Sequence, residues 1–287
     1  MTTRVGASLL VASIVWSAAA CRVADRRDPA RIDAQVQRSL FLMFSGVATR
    51  LVPDVVRRYV EPRDYLRHEY AREVGSAAAG ADRYVLPATI RARWAGVPGV
   101  PRWLGACGRG LDLLMYDPEH WELTPRAEQR RWVASIRRAA ALSREAGCAR
   151  FGIAPDGVFL FGLHPDRCAY DLRRGGYRRI PWRSIDVVDV QAQLLISDTC
   201  AGELGVGDYA KVVSSVARFA RRRNPEIAIV AQVSFRHTPP LRMQEAIATV
   251  ADDIEGIFFS YPSAGFQARC SYCSATRLEQ LLRFLRA

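Results

Sequence analysis

The sequence predicts an α/β fold, a (β/α)8 barrel of the TIM type. Three observations carry the prediction. From residue 111 onward, short apolar runs alternate with amphipathic helical stretches, the pattern of a parallel sheet covered by helices. With those of the N-terminal third the runs number seven or eight, which suits a barrel in a chain of 287 residues. Each well-defined run turns from apolar to polar at the same end, where a barrel carries its site. A doubly wound open sheet is the rival arrangement. It lacks a phosphate-binding fingerprint, because Gly205-Val206-Gly207 has no third glycine and follows no strand.

Residues 1–20 read as a secretory signal. Arg4 supplies the positive charge, residues 5–16 are apolar, and Ala18, Ala19 and Ala20 form a small-residue cleavage site. The apolar run is shorter than a bilayer span. Cys21 follows and is a candidate lipid anchor, with Ala18 where a lipidation signal carries a leucine-like residue. Residues 21–37 form a polar tether, and 38–287 are expected to form one barrel domain. The N-terminal third is its irregular part: a strand at 39–44, helix and loop over 47–74, a small-residue connection at 75–81, a short strand at 84–86 and a turn-rich stretch at 98–110.

The remainder is clearer. Strands are expected at 111–116, 151–154, 158–163, 185–192, 226–235 and 254–261. Helices are expected at 125–146, 209–223, 240–251 and 274–285. In the first of these Trp132, Ile136 and Leu142 share a face, and in the last Ser274 is the N-cap.

The chain carries 41 Lys+Arg against 29 Asp+Glu, a formal charge of +12. Lys211 is the single lysine. An arginine bias of this kind fits a GC-rich genome, so composition accounts for part of the charge. The expected partner is a polysaccharide or cell-wall glycan, with no nucleic acid, and a membrane only through Cys21. Setting Cys21 aside leaves six of the seven cysteines, which can pair in an oxidising compartment in a connectivity the spacing leaves open. Cys270 and Cys273 are expected to form a structural disulfide in the last loop. Localisation is therefore read as secreted or extracytoplasmic. His68, His120, His164 and His237 stand apart from one another, so no metal and no cofactor are expected. No G-x-S-x-G nucleophile elbow is present.

The polar strand ends supply the candidate site. Asp117 and Glu119 are two residues apart and so share a face. Neighbouring acids raise each other's proton affinity, which suits general acid–base work. Glu119 is the expected acid, and Asp117 orients it or stabilises positive charge. Asp156 and Asp189 are candidates for a base or nucleophile across the barrel. Asp156, Asp189, Gln191, Gln193, Gln232, Ser234, Arg236 and Tyr261 are expected to bind substrate. Tyr116, Trp121, Phe235 and Tyr261 offer faces for sugar stacking.

Asp112, Met115, Asp117 and Glu119 resemble the D-x-x-D-x-D-x-E motif of the chitinase-like (family 18) glycosidases. Met115 stands in place of its second acid, Leu113 in place of the usual glycine, and Pro118 in place of an aromatic or apolar residue. Residues 115–129 (MYDPEHWELTPRAEQ), 189–193 (DVQAQ), 224–240 (NPEIAIVAQVSFRHTPP) and 254–262 (IEGIFFSYP) resemble a group of exported actinobacterial barrel proteins that are glycoside-hydrolase-like. That resemblance implies a barrel and export. The expected function is an exported glycoside-hydrolase-like enzyme using carboxylate acid–base catalysis. The alternative is a non-catalytic barrel that binds a glycan or wall polymer.

Overall fold

The computed structural model describes residues 40–261, 270 and 272–287; the signal segment, Cys21 and the tether lie outside the described residues. Eight parallel strands close into a barrel. They are β1 (Phe41–Phe44), β2 (Tyr65–Arg67), β3 (Asp82–Val85), β4 (Leu113–Tyr116), β5 (Arg150–Ile153), β6 (Val187–Val190), β7 (Ala228–Ser234) and β8 (Gly256–Ser260). They run round the barrel in chain order, and β1 closes it by pairing with both β2 and β8. The fold is a TIM barrel.

Helices α1 (Gly46–Leu51) and α2 (Pro53–Tyr59) follow β1, and α3 (Val100–Leu104) precedes β4. Helices α4 (Arg126–Arg130) and α5 (Trp132–Glu145) lead to β5, and α6 (Gly157–Phe161) follows it. Helices α7 (Val206–Arg221), α8 (Pro240–Val250) and α9 (Ala275–Arg286) follow β6, β7 and β8. The irregular N-terminal third is visible in the β2–β3 connection, where a 3-10 segment (His68–Ala78) replaces an α-helix.

Two segments differ from expectation. Of residues 158–163, expected as a strand, 158–161 lie in α6 and only Leu163 is extended, because Asp156 caps the helix by accepting from Phe159 N and Gly162 ends it at φ 70°. The loop and helix expected over 47–74 contain β2, whose three residues are too few to show an alternation.

Period-two alternation separates two cores. Met43, Tyr65, Tyr84, Leu113, Met115, Val187, Val230 and Phe258 fill the barrel. Leu42, Leu66, Leu114, Ile153, Val188 and Ile229 face outward and pack beneath the helices, with Leu278, Leu281 and Leu282 of α9. Gly152 makes room inside: a Cβ there would sit 3.1 Å from Met115 Cγ and 3.1 Å from Val187 O. Met115 therefore fills barrel volume where the glycosidase motif carries an acid.

The barrel floor repeats one device four times. The residue before each even-numbered strand is acidic and accepts from the second N–H of the preceding odd strand. Asp64 takes Leu42 N at 2.8 Å, Asp112 takes Arg83 N at 2.7 Å, Asp186 takes Phe151 N at 2.7 Å and Glu255 takes Ile229 N at 2.7 Å. Each such charge-assisted bond contributes about 1.5–3 kcal/mol. Asp112, which matches the first acid of the glycosidase motif, is thus a strand pin at the end opposite the site.

Disulfides join Cys107 to Cys148, Cys168 to Cys200 and Cys270 to Cys273. They are compatible with an extracytoplasmic location. Among the described residues no helix is long and apolar enough to cross a membrane.

Candidate active site

Inward alternation carries Asp117 from β4 and Asp189 from β6 into the barrel, with Gln191 just beyond. All three are buried. Gln191 Nε2 donates to Asp117 Oδ1 at 3.0 Å, Glu119 Oε1 at 3.2 Å and Ala154 O at 2.6 Å. Asp117 and Glu119 thus share one amide nitrogen as donor and stand side by side. Two carboxyls so placed oppose each other's ionisation, since like charges so close cannot both ionise freely.

Burial is the main cause of the shifts that follow. It raises the Glu119 carboxyl to about 7; the Gln191 hydrogen bond lowers it, Asp156 raises it and the bond to Asp117 lowers it. It raises Asp117 well above the usual carboxylate range, with Glu119 and Asp189 adding to the rise and Arg67 opposing it. Asp189 is raised well above that range by burial and then by Glu119. Its Oδ1 is buried without a hydrogen-bond partner among the described residues. Glu119 therefore keeps its proton to about pH 7.

The loop carrying Glu119 is held from several sides. Thr124 Oγ1 accepts from Glu119 N at 3.1 Å and from Trp121 Nε1 at 3.2 Å, and donates to Ala88 O at 2.9 Å. Gln129 Nε2 donates to Trp121 O and Thr124 O. Asp156 Oδ2 accepts from His120 N at 2.5 Å. Both Asp156 oxygens are thus engaged by backbone N–H groups, which corrects its candidacy as base or nucleophile: it caps α6 and steadies the acid's loop.

The pair stands between two clefts. Glu119 lines one of about 360 Å³ with Gln191, Gln193, Ser234, Arg236 and His237. Asp117 lines another of about 260 Å³ with Arg67, Trp103 and Trp121. Gln193 Oε1 is buried without a partner among the described residues. Ser234 Oγ accepts from Arg236 N at 3.3 Å. Gln232, level with Phe258 in the sheet, is buried above Val230.

Three expected stacking faces are corrected. Tyr261 is buried against Phe235, ring centroids 5.8 Å apart, in the layer beneath the helices. Tyr116 points outward too, its hydroxyl donating to Glu128 at 2.9 Å. Trp121 alone of the four is exposed, at 41%. Each loses or keeps its face according to strand parity, which the exit from the last strand residue obscures.

Arg67 is a mouth residue the sequence reading passed over, because β2 was not separated from its surroundings. Its guanidinium lies 5.8 Å from the Tyr84 ring centroid and pairs with Glu69 at 3.0 Å. Burial opposes its charge, but Glu69, Tyr84 and Asp117 outweigh burial and hold the proton more tightly than usual. Among the described residues, no group of three or more His, Cys, Asp or Glu is disposed to hold a metal ion. A lysine Schiff base has no donor at the mouth, since Lys211 lies on α7, outside the barrel, 5.9 Å from the Tyr170 ring centroid.

No protein-family profile and no curated protein matches the chain. Solved structures do. A putative deoxyribose-phosphate aldolase from Toxoplasma gondii ME49 is 14% identical over 90% of this chain and 94% of its own, with a TM-score of 0.51. Pyruvate carboxylase from Rhizobium etli is 13% identical over 89% of this chain, with a TM-score of 0.50. This chain spans 27% of that one. At such identity the likeness is one of fold, a TIM barrel distantly similar to aldolase and carboxylase domains.

Proposed function

We propose that the protein is a glycoside hydrolase acting on an extracellular or cell-wall glycan. One observation carries the reading: Glu119, a carboxyl that keeps its proton to about pH 7, faces a cleft at the mouth and shares the Gln191 amide with a second carboxyl. Asp117 and Glu119 bind the same Gln191 nitrogen and so stand side by side, not on opposite faces of a glycosidic bond. They act on one side as a unit. Glu119 gives the proton to the glycosidic oxygen as its bond to the anomeric carbon breaks. The pair is then more negative, which stabilises the positive charge developing on the sugar. Water adds to that carbon and returns a proton to Glu119. Gln191 keeps both carboxyls oriented through the cycle.

The test is release of soluble sugar from a panel of bacterial wall and capsular glycans. Wild type is expected to release sugar and Glu119→Gln to lose about 10²–10⁴-fold in rate, the usual contribution of a general acid. Equal release by the variant refutes Glu119 as the acid. No release by wild type from any glycan, with both proteins folded, overturns the hydrolase reading and leaves a glycan-binding barrel.

A further inference from the structure

Beside the mouth the surface carries a feature the chemistry above does not use. A hollow of about 830 Å³ is lined by Trp94, Trp121, Arg91, Arg126 and Arg130. Trp94 is 38% exposed and Trp121 41%, in a chain whose other large apolar side chains are mostly covered. Trp121 also lines the cleft in which Asp117 stands. Arg130 also lines a second hollow, of about 510 Å³, together with Arg131, Arg137 and Arg179. The three recesses are thus neighbours, Trp121 lying between the first two and Arg130 between the outer two.

Five arginines along this track lack counter-charges. Arg126, Arg130, Arg131, Arg137 and Arg179 make no ion pair among the described residues. Arg91 stacks over Trp94 at 5.0 Å and reaches Glu128 only at 3.9 Å. Glu122 is the single acid facing the larger hollow. Unpaired guanidinium groups on one face attract an extended polyanion, and indole faces between them suit the flat apolar side of a sugar ring.

We infer that this track binds an acidic polysaccharide and leads it to the carboxyl pair. The inference rests on the glycan reading above and names its substrate class. The inner end of the track decides between polyanions. The cleft there holds Asp117 beside Arg67, which Glu69 neutralises at 3.0 Å, so no free guanidinium remains at the pair and an uncharged unit suits it. A glycan alternating acidic and neutral sugars meets that demand, whereas a nucleic acid brings a phosphate with every unit.

The test is affinity electrophoresis of the full chain in gels containing hyaluronan, which alternates an acidic and a neutral sugar, with polygalacturonate, neutral dextran and single-stranded DNA in parallel. Wild type is expected to be retarded by hyaluronan, less at high salt, and not by dextran. Arg130→Ser/Arg137→Ser and Trp94→Ala should each weaken retardation about tenfold while keeping the wild-type melting temperature. Retardation by neither acidic glycan, or equal retardation of wild type and the double arginine variant, overturns the inference. Stronger retardation by single-stranded DNA than by either glycan overturns it in favour of a nucleic acid. Binding is read without turnover, so retardation without sugar release removes only the hydrolase reading. Sugar release without retardation removes only the track.

Discussion

Replacing Glu119 by glutamine should stabilise the protein at neutral and alkaline pH. The carboxyl releases its proton at about 7 when folded, against an ordinary 4.5. Between those values the native state binds more protons than the unfolded chain, so stability falls as pH rises through the window and stays reduced above it. A shift of that size corresponds to about 3 kcal/mol. Glutamine keeps the shape, still accepts from Gln191 Nε2 and can donate to Asp117, so the exchange removes the charge with little loss of packing. Urea unfolding at about pH 8 should show the variant up to about 3 kcal/mol more stable. In a thermal melt that is about 6–12 °C, at about 2–4 °C per kcal/mol for a chain of this size. Below about pH 4.5 the two proteins should converge, because both carry a neutral group there. Stability curves that stay parallel across this range, or a variant less stable at pH 8, would refute the claim that folding traps a protonated acid at the mouth.

The remaining predictions concern the supports of the site and the frame. The rate of sugar release should be sustained below about pH 7 and fall above it, as Glu119 loses its proton; a flat profile through that region would show that another group is the acid. Gln191→Leu leaves Ala154 O and both carboxyls without their donor, costing about 1–3 kcal/mol in denaturant unfolding. It should also move the alkaline limit of activity upward, because that hydrogen bond holds the Glu119 proton affinity down. Arg286→Met breaks the pair with Asp64, which is fully buried beneath the barrel, and should cost about 3–5 kcal/mol as an uncompensated charge is left behind. Replacing Cys107 and Cys148 by serine opens a link spanning 41 residues; loss of chain constraint predicts about 4 kcal/mol, read as a lower urea midpoint.

Much of the frame is legible in the chain because strands and helices leave different periods. Residues 226–235 and 254–261 are largely apolar runs of strand length, and β7 and β8 lie within them. Ser274 is a cap in the structure, accepting from Arg277 N at 3.2 Å. The period is lost where an element is too short: three residues of β2 and five of α6 cannot establish one, and with β2 went Arg67. The floor acids were equally hidden. Asp64, Asp112, Asp186 and Glu255 are separated by 48, 74 and 69 residues, so only closure of the barrel shows them to be one device.

At the mouth the division is sharper. Local sequence determined that Asp117 and Glu119 share a face, since two residues of extended chain repeat one direction. Tertiary structure decided what they are worth. Burial, the approach of Asp189 and the reach of Gln191 from two strands away set their protons. The backbone N–H groups that claim Asp156, and the strand parity that turns Tyr116 and Tyr261 outward, are likewise products of chain closure. A side chain's type and its direction along a strand are local properties of the sequence, whereas its charge state depends on the water it has lost and the charges brought near it, and only the folded barrel assembles those.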